Sequence, residues 1–248
     1  MTIAADLHIH SALSPCASLE MSPAAIVSRA REAGLDLIAV TDHNSVENGF
    51  FAAEAGARAG LRVLFGMEAQ TREDVHVLCY FAERRQAERF HDRVYPLLPD
   101  VANNPDYFGD QVVVDAEDNI VRHEGKLLLN ALDISVPELV ELVREQGGLA
   151  VPAHVEAPPY GLLVNLGMAP PELQGAPLEV SAGCPREQAL REFPALARHP
   201  LLRNSDAHFL RDIGRARTVF SAPEPTPAAL LAAAREGRFR AESPADHG

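Results

Sequence analysis

The chain has 248 residues, 47% hydrophobic, 23% charged and 6% aromatic, which is the make-up of an ordinary globular protein and excludes a fibrous or disordered one. Its 22 basic residues against 35 acidic ones leave a net charge of −13, so extended binding to a nucleic-acid duplex or an anionic membrane is disfavoured. Three scattered cysteines cannot form a fully paired disulfide framework, the start lacks a basic segment followed by an apolar run, and a cytoplasmic protein with one large domain over 1–248 is expected.

Ile3 to Ile9 reads as a first strand. Ser22-Pro23 supplies a cap and a first-turn proline for a helix that Gly34 stops. Leu37 to Val40 is a second strand, Glu47 to Ala59 a second helix closed by Gly60, and Arg62 to Phe65 a third strand. Apolar runs separated by helices predict a parallel βαβαβ start. Val75 to Phe81 adds a strand, and Glu83 to Leu98 carries a charged helical pattern. From about 99 to 131 the alternation breaks: Gln111 to Val114 and Lys126 to Leu129 flank the polar stretch Asp115 to Asn119 and predict an inserted hairpin. Whether it is a lid, a dimer contact or decoration stays open. A helix capped by Ser135 and Pro137 then ends at Gly147-Gly148, and the strand Leu149 to Val151 leads to His154. Leu178 to Val180, Leu201 to Asn204 and Thr218 to Phe220 follow as strands, and Thr226-Pro227 opens a last helix.

Candidate ligands recur where these strands meet loops: His8 and His10, His43 after Asp42, Glu68, His76, His154, and Asp206 with His208. An open doubly wound sheet offers mainly one crevice at its switch point, whereas a closed barrel gathers many strand ends around one mouth. The dispersed fragments therefore favour an α/β barrel, TIM-like, with its site at the C-terminal mouth of the strands.

His8 and His10, two apart on a strand, leave the same face and can grip one ion. Asp206 and His208 repeat that spacing with an oxygen and a nitrogen donor, Asp42 is placed to support His43, and Glu68 can bridge two cations through its two oxygens. Such mixed nitrogen and oxygen donors suit zinc, manganese or iron rather than calcium. The single lysine, Lys126, lies in the expected hairpin, and neither GxSxG nor GxGxxG occurs, which argues against Schiff-base, P-loop, serine-triad and dinucleotide chemistry.

The ordered series from His8 to His208 resembles the PHP (polymerase and histidinol phosphatase) phosphoesterases. The resemblance implies a distorted (β/α)7 barrel with two or three divalent ions. It implies that His8, His10, Glu68 and Asp206 hold one metal, that Glu68 bridges to a second held by His76 and His154, and that His43 and His208 help hold a third. The run His10-Ser11-Ala12-Leu13-Ser14-Pro15-Cys16 is similar to small stand-alone members. Many members carry Asp or His about five residues beyond the second histidine of HxH, where this chain has Pro15. Cys16 beside it is the candidate replacement, and Glu20 a weaker one.

The expected activity is hydrolysis of a phosphate ester of a small metabolite, a nucleotide or a short oligonucleotide by metal-activated water, with Asp206 or His208 moving the proton. Arg211 and Arg186 are the candidate phosphate-binding residues, ahead of Arg215 and Arg217. Two other readings stay open: a non-catalytic, metal-stabilised interaction module, and a C–N hydrolase on a related metal barrel.

Overall fold

Helix boundaries follow local signals. In the computed structural model, which describes residues 1–247, the Ser22 side chain accepts the Ala25 N–H at 3.2 Å and opens the first helix. The second helix stops at Gly60, whose φ of +71° suits a residue without a Cβ. The elements are β1 (Thr2–Ile9), α1 (Pro23–Glu32), β2 (Leu37–Val40), α2 (Glu47–Ala59), β3 (Arg62–Gln70), β4 (His76–Phe81), α3 (Arg84–Val94), α4 (Pro105–Phe108), β5 (Val112–Val114) and β6 (Ile120–His123). There follow α5 (Val136–Glu145), β7 (Leu149–Pro152), α6 (Leu162–Leu166), β8 (Leu178–Glu179), α7 (Arg186–Glu192), β9 (Leu201–Leu202), β10 (Arg217–Ser221), α8 (Pro227–Arg235) and β11 (Phe239–Glu242). No helix among the described residues is long and apolar enough to cross a membrane.

The main sheet runs β11-β10-β1-β2-β3-β4-β7. Only β1–β2 and β2–β3 are parallel; β3–β4, β4–β7, β1–β10 and β10–β11 are antiparallel. The fold is α/β with a distorted, barrel-like curl, but its ladder does not close as a regular parallel barrel would. The short parallel pair β8–β9 stands apart from the main ladder. It reaches β7 through the Val155 N–H to Glu179 O bond at 3.0 Å, and the chain after β9 reaches β1 through Leu7 N–H to Asn204 Oδ1 at 2.8 Å and Ser205 N–H to Asp6 Oδ1 at 3.0 Å.

Three expectations need correction. The third strand continues past Phe65 to Gln70, and the segment to His76 is too short for the dozen or more residues a parallel crossover needs, so β4 folds straight back on β3. The partner of Val112–Val114 is Ile120–His123, not Lys126–Leu129, because Asp115 accepts the Glu117 and Asn119 N–H groups at 2.9 Å and turns the chain early. The edge strand β11 is not among the expected strands: its alternation of Phe239 and Ala241 with Arg240 and Glu242 is only four residues long and partly exposed, too short to stand out beside the Gly237 turn.

Apolar side chains of α1 and α2, Ile26, Val27, Ala30, Ala52 and Ala55, are buried with Ile38, Val40 and Val63 of β2 and β3. On the other flank, Ala87 and Phe90 of α3 and Leu139 and Val143 of α5 are buried with Val77, Cys79 and Phe81 of β4. Together these layers hold the strand ends at one mouth.

Candidate metal centre

Six strands or their exits deliver the expected side chains to one place. His8 and His10 leave β1 on the same face, both fully buried, with their Nε2 atoms 3.2 Å apart. His43 follows β2, and its residue pairs in parallel with Glu68 of β3. His76 opens β4, which brings it to the same mouth because β4 runs antiparallel: it faces Gln70, the last residue of β3. A donor at the start of a strand is the one arrangement a purely parallel barrel would not supply. His154 follows β7, and Asp206 and His208 follow β9.

Glu68 is the hub. Its Oε1 lies 3.2 Å from His8 Nε2, 3.0 Å from His76 Nδ1 and 3.3 Å from His154 Nε2, and its Oε2 lies 3.3 Å from His10 Nε2 and 3.2 Å from His43 Nδ1. Asp206 Oδ1 stands 3.4 Å from both His8 Nε2 and His10 Nε2. Potential ligand atoms fall into three groups, each within 4.8 Å: His8, His10 and Glu68; His43, Glu68 and His76; and His10, Cys16, His43 and His208.

The charges fit a cation-binding role. Burial alone would raise the Glu68 carboxyl, but the imidazoles around it hold it well below its usual range. Burial would likewise lower His8 and His10; the carboxylates of Glu179, Asp206 and Glu68 reverse that for His8, and Asp206 and Glu68 take His10 up to about 9. His43 and His76 are pushed down by burial, and His208 falls to about 4 for that reason and because of His10 beside it. His43 Nδ1 and both ring nitrogens of His76 are buried without a hydrogen-bond partner. Orphaned, neutral imidazole nitrogens around a buried carboxylate are what a divalent ion needs, since ligation requires the deprotonated ring.

Two buttresses hold these donors. Asp42 accepts the Ser11 N–H at 2.7 Å, the Ser11 hydroxyl at 2.6 Å and the Ser14 hydroxyl at 2.7 Å, and Ser14 Oγ lies 3.0 Å from His10 Nδ1. Glu179, 1% exposed, does more: one oxygen lies 3.0 Å from His8 Nδ1 and accepts the His154 N–H at 3.2 Å, while the other accepts Asn204 Nδ2 at 2.5 Å. In the neutral ring that ligation requires, Glu179 accepting from Nδ1–H leaves the His8 Nε2 lone pair facing Glu68. In the sequence Glu179 shows only as a lone acid inside the apolar run Leu178 to Val180, a weak signal for a ligand-orienting role.

A cavity of about 440 Å³ opens over the cluster, bounded by Gln70, Leu129, Ala157, Pro158, Tyr160 and Ser181. Tyr160 stacks on His76 at 4.2 Å and 9°. Leu129 belongs to the inserted segment, which Asn44 secures by donating to Leu128 O at 2.8 Å and Asn130 O at 2.9 Å. A larger hollow, about 680 Å³, lies around Met1, Ile3, Gly60 and Thr226 and holds none of the donors.

Neither candidate arginine lines the cavity over the donors. Arg211 is exposed and stacks on Phe209 at 4.5 Å, and Arg186 borders a separate cleft with Arg203 and Arg240. Arg215 is bound to Ser205 O and Asp212, and Arg217 to Glu242. Among the described residues no lysine or arginine borders the cavity.

The donors from HxH on the first strand to His76 fall within residues 6–147, which match the sequence model of the PHP domain, and Asp206 and His208 fall within residues 191–239, which match that of a PHP-associated segment; His154 lies between the two. The chain belongs to the PHP domain family. Within it, a 75-residue stretch is 36% identical to the PolC-type DNA polymerase III of Oceanobacillus iheyensis, covering 30% of this chain and 5% of that one. The PHP fold here superposes on the lesion-specific endonuclease Q of Pyrococcus furiosus with a TM-score of 0.71 and 21% identity, over 97% of this chain and 58% of that chain. An inferred metal-dependent phosphoesterase from Bifidobacterium adolescentis gives 0.57 and 21% over 91% of each chain, and an amidohydrolase from Chromobacterium violaceum gives 0.59 and 18% over 98% of this chain and 99% of that one. The chain thus spans a small part of the polymerase and somewhat over half of the endonuclease.

Proposed function

We propose that this PHP domain is a metal-dependent phosphoesterase acting on a small phosphorylated metabolite, a nucleotide or a short oligonucleotide end. One observation carries the reading: a single buried carboxylate, Glu68, is shared among five imidazoles, two of which, His43 and His76, turn unpartnered nitrogens to it. His8, His10, Glu68 and Asp206 would hold one ion, Glu68, His76 and His154 a second, and His43 with His208 a third. Such ions supply charge against the oxygens of a phosphate and acidify water.

The protein's own part is placement. Glu179 and Ser14 fix the His8 and His10 rings. Asp206, with 35% of its side chain exposed, faces solvent more than Glu68 does and is the group placed to pass a proton to a leaving oxygen; His208 takes that part only where no ion occupies its neighbours. With no lysine or arginine on the cavity wall, binding falls to the ions and to the neutral side chains of Gln70, Tyr160 and Ser181. The cavity's size suits a compact ester, and the net charge of −13 disfavours a long duplex.

The test is phosphate release from a panel of monoesters, nucleotides and short oligonucleotides after reloading with Mn²⁺, Zn²⁺ or Fe²⁺. Release from at least one class, lost in His8→Ala and Asp206→Ala, is expected. Release from none, or equal release by the variants, overturns the proposal.

A further inference from the structure

Three imidazoles at the cavity mouth converge on a thiol. One ring nitrogen each of His10, His43 and His208 and the Cys16 Sγ all lie within 4.8 Å of one another, close enough for a single ion to reach all four. His43 is 6% exposed, and its Nδ1 has no hydrogen-bond partner. His208 stacks on His10 with ring centroids 4.3 Å apart. Cys16 itself is exposed, so an ion held here would have a buried imidazole wall on one side and the open mouth on the other.

The thiol is presented by a built turn rather than a loose one. Asp42 binds Ser11 and Ser14, the Ala17 N–H donates to Ser14 O at 2.9 Å, and the Ser18 N–H donates to His208 O at 2.9 Å, which ties the Cys16 loop to the His208 loop. The inserted segment backs the turn from behind. At Gly109, with φ of +100°, a Cβ would come within 2.5 Å of Pro15 O, so only glycine lets the two backbones approach this closely. Pro15 offers no donor, and the next residue supplies one.

We propose that Cys16 is a metal-binding residue: as a thiolate it completes, with His43, His208 and the bordering His10, a site that selects a thiophilic divalent ion, zinc or ferrous iron, over manganese or magnesium. The S–H bond breaks on binding, its proton passes to bulk water, and the sulfur lone pair forms the bond to the ion. This rests on the metal-centre reading above and adds to it the chemical character of the third position.

Cobalt(II) titration of the metal-free 248-residue chain tests it, because a thiolate ligand adds a sulfur-to-cobalt charge-transfer band in the near ultraviolet beside the visible ligand-field bands. The band should form in the wild type and in Cys184→Ser, whose sulfur lies elsewhere beside Pro185 O at 3.6 Å. It should be absent from Cys16→Ser and Cys16→Ala, which should keep the wild-type far-ultraviolet circular dichroism and the remaining visible bands and bind one ion fewer per chain. Visible bands in the wild type without the sulfur band, or a sulfur band that survives Cys16→Ser, overturn the assignment of Cys16 while leaving the metal centre standing. A wild-type chain that takes up no cobalt, zinc or iron overturns both.

Discussion

Two stretches of the chain bring donors to the same cavity by different means. In residues 2–81 the donors ride on or beside regular strands: His8 and His10 on β1, Glu68 on β3, His76 on β4, with His43 one turn beyond β2. In residues 152–208 they ride on irregular backbone, where His154 has φ of +30° and Asp206 φ of +50°. Such conformations cost of order 1–3 kcal/mol for residues with a side chain and persist where surrounding bonds over-determine them. Glu179 supplies that constraint by holding His8, the His154 N–H and Asn204 at once. A ladder sets the direction of a side chain and leaves a buttress, Asp42 through Ser14 for His10, to fix only the ring, whereas in the strained loop Glu179 also binds the His154 backbone itself.

Glu68 joins both stretches, so its loss should have the largest effect. Glu68→Gln removes the shared negative charge and should abolish turnover and reduce bound metal, read by elemental analysis and phosphate release. If metal content holds, the two stretches bind ions independently and the hub role is wrong. Chelation comes next: an ion present at 100 times its Kd contributes about 2.7 kcal/mol, so stripping each one should lower Tm by roughly 5–10 °C for a chain of this size. An unchanged melting curve would show that the native fold tolerates the orphaned imidazoles of His43 and His76 unaided.

The sharpest contrast is between the two buttresses. Glu179→Gln should weaken metal binding by about 10–100-fold, the usual effect of losing a group that orients a ligand. Ser14→Ala, which acts on a ligand already fixed by β1, should cost only a few-fold. Equal losses would mean that the strained loops need no more support than the strands do.

The smallest effect lies outside the centre, in the inserted segment. Burial pushes the Glu124 carboxyl up, but hydrogen bonds from the Lys126 N–H, Tyr95 and Arg122 outweigh it and hold the group below its ordinary 4.5. A carboxyl depressed in the folded state contributes stability that is present above the unfolded value and is lost as pH falls through the folded one. The urea midpoint of the wild type should therefore drop more than that of Glu124→Gln between about pH 6 and about pH 3.5. Parallel curves would show that the group adds nothing.

The same contrast explains what was legible in the sequence. Caps and stops at Ser22, Gly60 and Ser135 placed the helices, and the apolar runs before His10 and His43 placed two donors, because short-range chemistry decides those features. The antiparallel return of β4 was not legible, since a buried strand looks alike in either direction; the short Thr71 to Val75 link was the available clue. Glu179 escaped because its partners, His8 and His154, lie 171 and 25 residues away. Arg211 follows the donors closely along the chain and Arg186 follows a strand end, but neither borders the cavity in the fold.

The unclosed ladder has a consequence for how the molecule breathes. Between β9 and β1 the wall is fastened partly by side chains, Asn204 to the Leu7 amide and Asp6 to the Ser205 amide, instead of by a continuous row of backbone partners. Those amides should trade hydrogen for deuterium ahead of their neighbours in β2 and β3. That seam is then the first part of the wall to open while every helix stays wound.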